Sequence, residues 1–281
     1  MQSKAIKKTT GGSVQYDGAG VKLVRVIGNQ DIYDFDPFLM LDAFDSTDPK
    51  DYVKGFPWHP HRGIETVTYL ISGEIEHSDS LGNEGSINDG CCQWMTAGSG
   101  IIHQEMPKEA KRMLGCQLWI NLPQKDKMTT PVYRDIRTGQ IPTVKEKGVS
   151  VRVISGTYEG TNGPEQGDFV KAIFLDVELE PNTEWSFAVD PRKTVFCYMV
   201  EGSALVSESK QKIVSGLGVL FDEGDTIDIT ATEEGIRFFL FVAMPLGESI
   251  AWKGPIVMNT QDELKVASKE LREGTFIKHA R

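Results

Sequence analysis

GFPWHPHRGIETVTYLISGEIEHSDSLGNEG, residues 55–85, is the stretch whose reading decides the fold. In its middle, Val67, Tyr69 and Ile71 interleave with Thr66, Thr68 and Leu70, a period of two that suits a strand and not a helix. Gly73 then interrupts, and a second β-type run follows. Working outward, the same kind of run recurs in VKLVRVIG (21–28), GCQLWINL (115–122), VRVISG (151–156), KAIFLDVEL (171–179), TVFCYMVEG (194–202) and IRFFLFVAM (236–244). Short Val-, Ile-, Phe- and Tyr-rich runs between close-set glycines predict an all-β sandwich or barrel. The strand–Gly–strand pattern YLISGEIEH (69–77) followed by NDG (88–90) has a weaker echo in YMVEGSALV (198–206) followed by DEGD (222–225). We read this as two similar β-barrels in tandem. The polar, Pro- and Gly-broken stretch 123–170 predicts the boundary, giving residues 1–135 and 136–281 as the two domains. One helix is expected, at about 260–272. Thr260-Gln-Asp-Glu263 forms a capping box, Leu264, Ala267 and Leu271 follow at helical spacing, and Gly274 is a stop. That helix is expected to close the second domain.

Composition bounds the function. The chain has 281 residues and a formal net charge of −10, which argues against a nucleic-acid binder working through phosphate neutralisation. No apolar run approaches a membrane span, and MQSKAIKKTTGG at the start lacks the apolar core of a secretory signal. Four cysteines, Cys91, Cys92, Cys116 and Cys197, show neither a disulfide framework nor a CxxC pair. A reducing, cytoplasmic setting is the expectation, with the nucleus open if the source is eukaryotic.

The histidines carry the chemistry. Of five in the chain, three fall in two triplets, His59-Pro-His61 and His103-Gln-Glu105. On extended backbone, residues i and i+2 face the same way, so each triplet projects two ligand-type side chains together. An antiparallel barrel can bring the triplets face to face across its lumen, placing three imidazoles and a carboxylate around one point. That donor set suits divalent iron, nickel, manganese, cobalt or zinc with exchangeable positions left over, and the absence of thiolate disfavours a structural zinc. Glu65 competes with Glu105, because His59-x-His61-x3-Glu65 followed by Gly73 matches the general first cupin motif, in which the glutamate often ligates. His77 is expected to be solvated or to anchor a turn, and Trp58, Trp94 and Trp119 to pack the core or rim. The second half has no histidine before His279, so it is expected to hold no metal.

The blocks HPHRG (59–63), QWMTAGSGIIHQEMP (93–107), GCQLWINLP (115–123) and IAWKGPIVMNTQDELKVASKELREGTF (250–276) together resemble the pirin family of two-domain cupins. The resemblance implies two tandem jelly-roll-like cupin barrels with one mononuclear iron(II) site in the first, ligated by His59, His61, His103 and Glu105. Glu65 then stands behind the ligands. The resemblance also implies quercetin dioxygenase activity, in which both atoms of O2 enter a flavonol heterocycle and carbon monoxide leaves. Glu105 is the expected base, and the expected partners are O2 and a flavonol-like molecule, with the chain a monomer. A metal-dependent redox-sensing module that binds a transcription factor or metabolic enzyme is the alternative. Cys91-Cys92 departs from the family pattern, where an acid and an aliphatic residue are expected.

Overall fold

The structure, a computed structural model, describes residues 2–279. Its contacts divide the chain into two compact units that change over between Thr138 and Gly139, close to the expected boundary, but neither unit is one continuous stretch. One unit combines Ser13–Ile32, Phe38–Thr138 and the chain from Leu246 onward; the other combines the chain up to Gly12, Tyr33–Pro37 and Gly139–Pro245. These units differ from the expected division into 1–135 and 136–281 at both chain ends and at Tyr33–Pro37. Strand Ile6–Thr10 pairs with Gly218–Phe221 of the later unit, satisfying that edge. The C-terminal helix, expected to close the second domain, belongs to the first unit. Its buried Leu264 and Ala267 pack with Ile256, Met258 and Phe276. Long-range pairing of this kind leaves no trace in the composition of a linker.

In the first unit a seven-stranded antiparallel sheet is centred on Met113–Asn121, which pairs with Ile64–Ser72 on one side and Phe38–Ser46 on the other; Cys92–Thr96 lies beyond Ile64–Ser72. A four-stranded sheet runs Phe56–His61, Ile101–Pro107, Ile75–Asp79, Glu84–Ile87. Along Ile101–Pro107 the side chains alternate strictly, with Ile101, His103, Glu105 and Pro107 buried and the residues between them half-buried. The pleat therefore sends both His103 and Glu105 inward.

The second unit is built on a nine-stranded sheet. Its long strands Thr194–Val206 and Thr226–Ala243 pair with register shifts at Met199/Glu201 and Gly202/Ala204. Such bulges bend a strand and increase its twist. Gly202 sits there at φ 78°, and a Cβ on it would run into the Gly235 carbonyl, so glycine is required.

The helix spans Gln261–Glu273. Thr260 Oγ1 accepts from the Glu263 N–H at 3.2 Å, and Glu263 Oε2 accepts from the Thr260 N–H at 2.8 Å. Gly274 ends the helix at φ 70°, as the capping box and glycine predict. No helix among the described residues is long and apolar enough to cross a membrane.

Candidate metal centre

The two histidine triplets meet, but side by side. Strands Phe56–His61 and Ile101–Pro107 are antiparallel neighbours, with His59 directly opposite His103. The expectation of triplets facing each other across a lumen is corrected: adjacency in one sheet puts the rings together, since directly opposed residues sit only about 4.5–5.5 Å apart. Ring centroids are 4.4 Å apart for His59 and His103, 4.9 Å for His59 and His61, and 5.0 Å for His61 and His103. One nitrogen from each ring lies within 4.8 Å of the others. A register shift between His103 and Glu105 inserts an extra residue on the Phe56–His61 side, re-aiming the backbone beside the cluster.

The rings are prepared as ligands. His59 Nδ1 lies 2.9 Å from the Pro57 carbonyl and His61 Nδ1 3.3 Å from the Pro255 carbonyl. A carbonyl only accepts, so each Nδ1 carries a proton, and Nε2 is the nitrogen left to ligate. His61 Nε2 and both nitrogens of His103 are buried with no hydrogen-bond partner in the protein. Burial, reinforced by neighbouring imidazoles, holds His61 and His103 well below the usual imidazole range, so they are neutral. Buried polar nitrogens left unpaired cost free energy. Three imidazoles converging in this way fit a divalent transition metal.

Glu105 is buried and lies outside the three-imidazole group. Its oxygens accept from Gln117 Nε2 at 2.9 and 3.1 Å, and one accepts from Thr68 Oγ1 at 3.3 Å. Trp119 Nε1 in turn donates to Gln117 Oε1 at 3.2 Å, so the amide is oriented with its NH2 toward the carboxylate. Glu65, fully buried on the neighbouring sheet, accepts from Thr96 Oγ1 at 2.7 Å. Glu105 shares a cavity of about 470 Å³ with His59 and His61, and Met40, Trp119 and Trp252 supply apolar wall.

Several side chains differ from the sequence expectation. Trp119 lines the cavity, its ring edge-on to His61 at 5.0 Å, whereas Trp94 is buried and Trp58 exposed. His77, expected at a solvated turn, is buried with Nε2 3.1 Å from Asp135 and its ring 4.8 Å from Tyr133. The alternation of Ile75–Asp79 turns Ile75, His77 and Asp79 inward, a pattern that the polar Glu76 and Ser78 between them conceal in the sequence. Trp252 and Pro255 were missed as site residues because some 150 residues separate them from His103. The Arg25–Asp42 pair, bidentate at 2.8 and 2.8 Å in the cavity wall, was also missed. A charged residue opposite an acid in adjacent strands was the available signal. All four cysteines are free thiols.

The Pirin family model matches residues 20–120, and the Pirin C-terminal cupin domain model matches residues 174–277. A pirin-like protein of Caulobacter vibrioides is 42% identical over 279 residues, covering 98% of this chain and 100% of the relative. This chain belongs to the pirin family. A Pseudomonas aeruginosa relative, named as a candidate quercetin 2,3-dioxygenase, is 40% identical over 268 residues, covering 92% of this chain and 93% of its own. Among solved structures, a quercetin 2,3-dioxygenase from Acinetobacter baumannii superposes with a TM-score of 0.89 at 30% identity, covering 98% of each chain. The all-β, two-cupin fold expected of a pirin is thus the fold found. The three-histidine cluster is one that could hold a metal in a cupin.

Proposed function

We propose that this pirin is a mononuclear iron(II) dioxygenase acting on flavonols, with His59, His61, His103 and Glu105 as its metal ligands and Glu105 as its base. The observation that carries the reading is the set of three converging imidazoles, two of them buried and short of partners, at the edge of an aromatic-walled cavity. The cavity, about 470 Å³, falls within the size range of small-molecule sites. Iron held there supplies Lewis-acid polarisation of a substrate oxygen and the means to engage O2.

The protein residues do the rest. Trp119 and Trp252, centroids 5.8 Å apart, offer flat apolar wall to a planar ring system. Glu105 takes the proton of the 3-hydroxyl, leaving the enolate electron-rich. Gln117, bonded to both carboxylate oxygens, keeps that group aimed while the proton moves. In the net reaction both oxygen atoms of O2 enter the heterocycle and one ring carbon leaves as carbon monoxide.

The test is quercetin consumption by the iron-loaded protein under O2, with carbon monoxide measured. The proposal expects one carbon monoxide per quercetin consumed. If no flavonol is consumed with iron, nickel, manganese or cobalt in the site, the dioxygenase reading is wrong and a metal-dependent binding module, with a protein partner in place of the substrate, takes its place.

A further inference from the structure

The chain from Leu246 onward does more than close the first unit. Three of its contacts end on the metal-ligand run or on the residues just after it, and a fourth reaches His61 through Trp119. The Pro255 carbonyl lies 3.3 Å from His61 Nδ1. Trp252 packs on Trp119, which packs on His61. The Val257 N–H donates to the Arg62 carbonyl at 3.1 Å. At Gly63 a Cβ would collide with the Val257 carbonyl, so the two backbones can approach this closely only because residue 63 is glycine.

Two buried cations fasten the segment. Arg62, adjacent to ligand His61, is 1% exposed. Its Nη1 lies 2.7 Å from Glu270, its Nη2 donates to the Phe276 carbonyl at 2.9 Å, and its guanidinium sits 4.1 Å from the Phe276 ring centroid. Lys127, also 1% exposed, donates to the carbonyls of Gly63 and Val257 at 2.9 and 3.0 Å and to Asn121 Oδ1 at 2.6 Å. Three donors meet three acceptors, so the ammonium ties the end of the ligand run to the C-terminal hairpin with none of its hydrogens wasted.

We propose that this C-terminal segment is a positioning element of the metal centre: hairpin Ala251–Met258 fixes the ring of His61 through the Pro255 carbonyl, and Arg62, Glu270 and Phe276 lock the hairpin in place. The inference rests on the reading that the three imidazoles hold a metal. Its logic is that of outer partners of ligating histidines generally. A carbonyl on Nδ1 selects the tautomer that leaves Nε2 basic and aimed, and loss of such a partner typically costs about 10- to 100-fold in metal affinity. Because linkage is reciprocal, metal on His61 must also steady the hairpin that holds it. Glu270 and Phe276 line no part of the cavity and stack on none of the three imidazoles; Glu270 reaches the site through Arg62, and Phe276 through Arg62, the hairpin and its packing on Gly100 and Ile102.

The experiment uses the full chain and nickel(II) as the probe. Amide hydrogen exchange of residues 251–258 is compared in the metal-free and nickel-loaded wild type, and slower exchange is expected on loading. Glu270→Gln and Phe276→Ala are then loaded with nickel and challenged with a chelator. The metal is expected to leave about 10-fold faster, with loss of the hydrogen-bonded His61 Nδ1–H resonance and an unchanged far-ultraviolet circular dichroism spectrum. Faster exchange in the hairpin of the variants with no change in metal release or in the His61 resonance overturns the proposal. So does unchanged wild-type exchange on loading, which decides the matter even where a variant does not fold. Wild type that retains no nickel, iron, manganese, cobalt or zinc overturns the metal reading beneath it, a result distinct from either of the others.

Discussion

The two barrels use one construction for opposite ends. In both, antiparallel strands turn alternate residues inward. In the second unit those residues are apolar: Leu175, Val177 and Leu179 on one strand, Val195, Cys197 and Met199 on another, with Trp185 and Phe238 in the same cluster. That interior is a core. In the first unit the corresponding inward positions of the four-stranded sheet hold His61, His103, Glu105 and His77, all buried. That interior is a site, and it carries buried nitrogens with no partner in the protein. The comparison shows that the fold supplies the alternation while the identity of the inward residues decides between a core and a site.

The comparison can be broken most severely at the imidazoles. His61→Ala and His103→Ala should each lower metal affinity by more than the 10- to 100-fold typical of outer partners, so that the purified protein carries essentially no metal. Both should stay folded, because each unit has its own apolar interior and the metal is not the source of folding energy as it is in a zinc finger. Circular dichroism beside elemental analysis checks both halves of this expectation, and an unfolded metal-free protein would refute the second half. Next comes Glu105→Gln. Loss of a general base costs about 100- to 10,000-fold in rate, so quercetin turnover per bound iron should fall by that much. Metal affinity should fall only about 10- to 100-fold. Glu65→Gln is the control, bonded to Thr96 and expected to keep most of the rate. A dead Glu65→Gln beside an active Glu105→Gln would exchange their roles.

Much of this was legible in the sequence, and the legible parts share a cause. Strand periodicity, the Thr260 capping box and Gly274 are local, so they predict Val21–Ile27, Ile64–Ser72 and the helix Gln261–Glu273 to within a few residues. The i, i+2 spacing of His59 and His61 is local too. What escaped was long-range. Nothing near residue 255 says that its carbonyl will face His61, and nothing in Ile6–Thr10 says that it will edge a sheet built from residues beyond 140. His77 escaped for another reason: its acidic and polar neighbours disguise an inward position as a surface turn.

Smaller effects sharpen the contrast. Phe238→Ala empties part of the second interior and should cost about 3–5 kcal/mol of that unit's stability while leaving metal content per folded chain unchanged. Denaturant unfolding paired with metal analysis tests it, and metal loss without unfolding would show that the two interiors do not divide the labour as described. Thr260→Ala removes the helix cap and should cost about 0.5–2 kcal/mol. That loss should appear in the unfolding of the unit that carries the three histidines, since the helix packs there. A loss confined to the other unit would return the helix to the second domain.

The most direct test of the central claim is metal stoichiometry in anaerobically purified wild-type protein, by elemental analysis against protein concentration. One interior built as a site and one built as a core predict one tightly bound metal per chain. Two tightly bound metals per chain, or one that survives the joint change of His59, His61 and His103 to alanine, would contradict it.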